Sequence, residues 1–394
     1  MKRIPRTAGY AAMALLTLTA FTLAACSGST GPSVPGMPNG GSALNAPPVM
    51  VDADISAEPP DDDAGFSVLA RLNTTTTIGS TVDPLFGELN PYGLDIARAT
   101  VGPIAAGDLV VCNFNNSANV QGTGSTIISL HPQAGSTPTH IAKASALVGC
   151  DAIALAPNDN IWAAAFTAND NPIVSPGGAV LTTLPGGPWQ NPFGQTFAPN
   201  PGPFGIAAFY ESNAADGSIV RIDIHPGPTF TFDIIATGFA VNGGAPGSIL
   251  GPSGLQYDAK HDRLFIVDGA NNTLVSFKHV STIPQGGIHV SGTTFSGPFA
   301  HRARLVFSGA PLNGPISSAL LFNGHIVLGN TLDPDGQNLM VEIAPHGSRV
   351  LNVKNVDTGT AGALFGMVAS GTSIADTKLY FNDDNDNTVK LLSK

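Results

Sequence analysis

Residues 251–280, GPSGLQYDAKHDRLFIVDGANNTLVSFKHV, constrain the fold more than any other stretch. Pro252-Ser253-Gly254 makes a turn, and Leu255-Gln256-Tyr257 runs out of it. A second apolar run covers 264–267, the polar cluster 268–272 turns the chain again, and a third run covers 273–277. Turn residues between β-branched and aromatic runs mark consecutive antiparallel strands. The same grammar recurs, so this stretch is one unit of a repeat. The other opening turns lie at 90–93, 149–152, 191–194, 314–317 and 364–366. Each is followed by a short apolar strand and an Asp/Asn-rich cluster. The fourth and sixth units match best, LFIVDGANNTLV against LYFNDDNDNTVK.

Six units of this size cannot each bury a core alone, but neighbours stacked about an axis can. With 46 Gly and 32 Pro and only 11% charged residues, many short strands and turns are expected. The order of opening turn, second strand and Asp/Asn cluster resembles the NHL repeat over about residues 90–394. That resemblance implies an all-β, six-bladed β-propeller spanning 65–394, with a solenoid or a sandwich as the competing architectures. The sixth unit leaves little room for a fourth strand before Lys394. An N-terminal strand at 66–72, FSVLARL, is therefore expected to pair with 388–392 and close the ring.

Ahead of the repeats, residues 1–26 read as a secretory leader. Lys2, Arg3 and Arg6 precede an apolar, small-residue stretch that ends Leu23-Ala24-Ala25-Cys26. This ending resembles the bacterial lipobox, which implies acylation of Cys26, cleavage before it and a lipid-anchored mature chain. Ser27 in the next position favours the outer membrane, facing the periplasm or the cell surface. Residues 27–64, Ser/Gly/Pro-rich and then acidic, read as a disordered tether. Without the leader, 14 Lys+Arg face 28 Asp+Glu, a balance that repels nucleic acid and anionic membrane surfaces. The expected membrane contact is through lipid alone, and the propeller is expected to be monomeric. Cys112 falls on a second strand and Cys150 at the start of the next unit. In an oxidising compartment they are either a disulfide or two buried thiols.

In an antiparallel blade the opening turn and the turn after the second strand share one face. Asn113, Glu211, Asp268, Asn330 and Asp383 are the candidate binding rim there, although Asp and Asn also serve such turns structurally. No local catalytic motif appears: there is no His-Glu-x-x-His and no Gly-x-Ser-x-Gly. His131, His225 and His346 recur beside Pro after strands and do not converge. Residues 383–387 have the oxygen spacing of a calcium loop. Thr388 stands where such a loop has Gly, and Lys394 where it has Glu. No cofactor is expected, calcium being the one ion left in view. The reading is an envelope propeller that binds a protein, glycan or small molecule at one face. The alternative is a lactonase-like hydrolase or a metal-dependent lyase, which would need several carboxylates or His around the channel.

Overall fold

Each of the six units folds into an antiparallel sheet of four strands, with one further strand pair attached to blade 3. The computed structural model describes residues 65–394 apart from Pro228; the leader, Cys26 and the whole tether lie outside the described residues. Taken from the axis outward, blade 1 is Leu89–Ile96, Leu109–Asn115, Thr126–Leu130 and Thr139–Lys143. Blade 2 is Cys150–Leu155, Ile161–Ala165, Ile173–Val174 and Val180–Thr182. Blade 3 is Pro192–Ala198, Ala207–Asn213, Ser218–His225 and Thr229–Thr237, extended by the hairpin Ile288–Ser291 and Thr294–Ser296. Blade 4 is Pro252–Asp258, Arg263–Asp268, Thr273–Lys278 and Ala303–Ser308. Blade 5 is Ser317–Leu320, Ile326–Gly329, Asn338–Ala344 and Arg349–Asp357. Blade 6 is Leu364–Ser370, Lys378–Asp383, Thr388–Ser393 and, from the other end of the fold, Thr74–Ser80. Every innermost strand touches that of the next blade, and blade 6 returns to blade 1. The protein is a six-bladed β-propeller.

The second strands explain why no blade stands alone. Leu109–Asn115 and Arg263–Asp268 are buried along their whole length. Their two faces feed different cores. One apolar cluster fills each gap between neighbouring blades, from Val110, Cys112 and Ile153 between blades 1 and 2 to Ile78, Val111 and Tyr380 between blades 6 and 1. At about 25 cal/mol per Å² of apolar surface removed from water, stability resides in the seams rather than in the sheets.

An N-terminal strand closes the ring, but its residues differ from those expected. Thr74–Ser80, not 66–72, pairs with Thr388–Ser393, running from Thr74 opposite Ser393 to Ser80 opposite Thr388 with a bulge at Thr77–Gly79. A run of β-branched Thr suits an outer strand, which needs little apolar content. The more apolar 66–72 segment forms a single 3-10 turn, Leu69–Arg71, that plugs the seam between blades 5 and 6. Val68, Leu69 and Leu72 are fully buried there. The Glu342 carboxylate of blade 5 receives the Val68 and Leu69 amides at 3.0 and 2.8 Å and the Ser67 hydroxyl. Its other partner is His325 Nδ1 at 2.8 Å.

Candidate functional site

The innermost strands surround a central channel that contains about 90 Å³ of space. Close packing at the axis requires glycine in these strands. A Cβ on Gly194 would fall 1.9 Å from the Ser253 carbonyl, and one on Gly93 would fall 2.8 Å from the Ile153 nitrogen.

At the face that carries the opening turns, aromatic residues plug the channel. Tyr92 stacks between Phe114 and Phe365, with ring centroids 4.1 and 3.5 Å away. Phe166, Phe193 and Ile316 complete the layer. Above it two loops meet. The blade 1 insertion at 119–124 places Gly122 against Pro246, and Gln121 packs on Gly247 of the loop that leads into blade 4. These loops come from blades that are not neighbours, so together they roof the axis. Thr167 holds the insertion through its hydroxyl, which donates to the Gly122 carbonyl at 2.6 Å. Val120 and Val241 stay exposed on the roof.

Beneath the plug the wall becomes polar. Asp151, Gln195, Gln256, Ser317 and Ser318 line the space together with Leu94, Ile153, Leu255 and Met367. Burial alone pushes the Asp151 carboxyl well above the usual carboxylate range, and among the described residues no hydrogen bond reaches its Oδ2. Gln195 Nε2 donates to Glu211 Oε2 at 3.1 Å, and Asn171 also donates to that carboxylate. Glu211 is likewise pushed up, first by burial and then by Asp170. Sequence reasoning passed over Asp151, reading Gly149 to Ala152 only as a turn. A carboxylate at the place held by Tyr92 in blade 1 and Phe193 in blade 3 was the available signal.

The five expected rim residues are all fully buried. They lie under the face and tie turns together. Asn113 donates to the Thr81 carbonyl at 3.1 Å, and Asn330 donates to the Pro311 carbonyl at 2.8 Å. Asp268 accepts the amides of Ala270 and Asn271 at 3.1 and 3.2 Å. Asp383 faces Lys390 at 2.5 Å. Glu211 is out of register with the others. Pro192, the partner of Asp268's equivalent, pairs with Asn213, which accepts the Gln190 amide at 3.0 Å. A carboxylate two residues earlier points instead into the seam between blades 2 and 3. In the loop at 383–387, Lys390 supplies the chain's own cation, 3.0 Å from Asp386 as well as 2.5 Å from Asp383. Asp384 next to it is pushed up to about 7 by burial and by Asp383. Turned to satisfy its neighbours, the Asn90 amide donates to Asp384 at 2.8 Å.

Cys112 and Cys150 are joined as a disulfide across the seam of blades 1 and 2, their Cα atoms 5.9 Å apart. His131 pairs with Asp108, His225 with Thr231, and His325 with Glu342, at separate places. Among the described residues no group of three His, Cys, Asp or Glu side chains is placed to hold a metal ion. At the opposite mouth, a groove of about 370 Å³ is lined by Asp258, Lys260, His261, Phe322 and Ser370. There His261 Nδ1 meets Asp258 at 2.6 Å.

The sequence matches no protein-family model and no curated protein. Among solved structures, the chain is similar to a catalytically inactive virginiamycin B lyase from Staphylococcus aureus with quinupristin. That match has a TM-score of 0.47 and 13% identity, over 82% of this chain and 85% of that one. It is also similar to a nidogen/laminin complex, at 0.49 and 15%, over 73% and 87%. A streptogramin B lyase matches at 0.47 and 13%, over 81% and 96%.

Proposed function

We propose that the protein is a binding propeller of the cell envelope, an NHL-like domain tethered by lipid on Cys26. It takes a protein, glycan or small molecule on the outside of its roofed face. The plugged mouth carries this reading. A stacked aromatic layer and two joined loops block entry to the channel from this face. Recognition then falls to the surface around Val120 and Val241, exposed apolar side chains set among polar loops. The net negative charge fits a partner other than nucleic acid, and the domain acts as a monomer.

Two experiments test the two halves. Whole chain expressed with its leader should partition into detergent, and Cys26→Ser should move it to the aqueous phase; equal partition removes the tether. Fluorescent whole chain is then titrated onto purified peptidoglycan and onto envelope glycan. A saturable signal on either, lost in a Val120→Glu, Val241→Glu variant of unchanged melting, is expected. No saturable signal, or equal binding by the variant, refutes recognition at the roof.

A hydrolase reading has one observation in its favour, the His261–Asp258 pair in the groove of the opposite mouth. A paired His beside a cavity is the arrangement of a general base. Lactone turnover by the wild type that disappears in His261→Ala would establish it.

A further inference from the structure

The channel holds polar groups that the fold leaves unanswered. Asp151 Oδ2, Gln195 Oε1 and Ser318 Oγ are buried and have no hydrogen-bond partner among the described residues, and all three residues line the same space. Buried polar atoms are ordinarily paired, and a buried carboxylate without a cation is among the costliest exceptions. These three come from blades 2, 3 and 5. Blade 5 stands opposite blade 2 in a ring of six, so no strand pairing can join them. Only something on the axis can. Gln195 is also held with its nitrogen on Glu211, which leaves its oxygen as the end without a partner. The three donors are all oxygen, with no nitrogen or sulfur, and one of them is a carboxyl group.

We propose that the central channel is a cation site, in which Asp151, Gln195 and Ser318 hold a hard divalent ion of the calcium type beneath the aromatic plug. Oxygen donors of mixed charge with retained water are what such an ion takes. The space of about 90 Å³ admits the ion and a few waters. A site with a single direct carboxylate is expected at the weak end of calcium affinities, on the order of 10⁻⁴–10⁻³ M. The ion would brace blades 2, 3 and 5 from inside. This assignment is independent of recognition at the roof, since an axial ion binds whether or not the outer face takes a partner.

The test uses whole chain in detergent, stripped with chelator and titrated with CaCl₂ by calorimetry. In parallel, terbium is titrated with excitation of tyrosine, because Tyr92 lines the same space. One ion per chain, with terbium emission sensitised and displaced by calcium, is expected. Asp151→Asn, which keeps shape, should weaken binding at least tenfold, and Ser318→Ala two- to fivefold. Asp335→Asn, on an exposed turn of blade 5, should leave the affinity unchanged. Absence of stoichiometric binding by the wild type overturns the proposal. So does equal binding by Asp151→Asn, or loss of binding in Asp335→Asn. Should Asp151→Asn fail to fold, Ser318→Ala decides, and an unchanged affinity there refutes the site.

Discussion

The plug at 66–72 offers the sharpest test of how the ring is held. Leu69 is fully buried in the cluster between blades 5 and 6. Leu69→Ala removes that burial and keeps every ordered residue in place. Such core truncations cost about 2–5 kcal/mol, and a surface turn that can partly collapse belongs in the lower half of that range, near ~3 kcal/mol. For a fold of this length one kcal/mol corresponds to about 1.5 °C in Tm, so a drop of about 4–5 °C is expected. Deleting residues through Leu72 is the blunter experiment. It removes three buried side chains, worth ~1.5–3 kcal/mol each. It also frees several residues whose ordering costs ~1–2 kcal/mol apiece, so the two effects nearly cancel. Arg71, exposed in the same turn, is the control, and Arg71→Ala should stay within about 0.5 kcal/mol of the parent. Thermal melting of the three variants by circular dichroism decides. Equal melting of Leu69→Ala and Arg71→Ala would mean that the turn is not docked.

Further outcomes follow from other seams. Breaking the Cys112–Cys150 bridge with a double Ser substitution should cost about 4 kcal/mol in the chain-entropy account, given its 38-residue separation. Titration of the unreduced, unfolded domain should then find no free thiol at either position in the parent. Asp384 has a folded pKa of about 7, above its unfolded value. Its ionisation therefore opposes folding: stability is highest below the unfolded pKa, falls as pH rises towards 7, and stays low above that. Asp384→Asn should flatten that slope and raise Tm at pH 8, and an unchanged pH profile would refute the assignment. Gly194→Ala would drive a methyl group into the Ser253 carbonyl and should destabilise by ~1–3 kcal/mol or more; no change in Tm would show that the channel can widen.

The six units were legible because turn chemistry is local. Gly, Pro, Asp and Asn punctuate the chain wherever two strands meet, whatever lies across the seam. Outer strands were harder to read. Val180–Thr182 is exposed throughout and Thr139–Lys143 buries only Ile141 and Ala142, so neither carries the apolar signature of the strands inside them. The closing strand was misplaced for the same reason. FSVLARL has the apolar content of a strand and is in fact a buried plug, whereas TTTTIGS has β-branched character and little else. The rim residues show the opposite error, since polarity suggested exposure. In Asp268 and Asn330 the polar atoms are spent on neighbouring turns, and the Asn113 amide nitrogen on the Thr81 carbonyl, so the side chains can go inside. Asp151 escaped notice because its environment is assembled from blades 2, 3 and 5, and no window of sequence contains all three.

The pairing of Thr74–Ser80 with Thr388–Ser393 also sets an order of events. A ribosome makes the first of these strands before any innermost strand and the second only after five whole blades are complete. Until then blade 6 lacks its middle and the disc is a broken ring with an unzipped edge. A chain cut short anywhere between them can build blades but cannot latch them. The clasp thus acts as a proofreader: only an uninterrupted copy locks, and every shorter product offers its open seam to a protease.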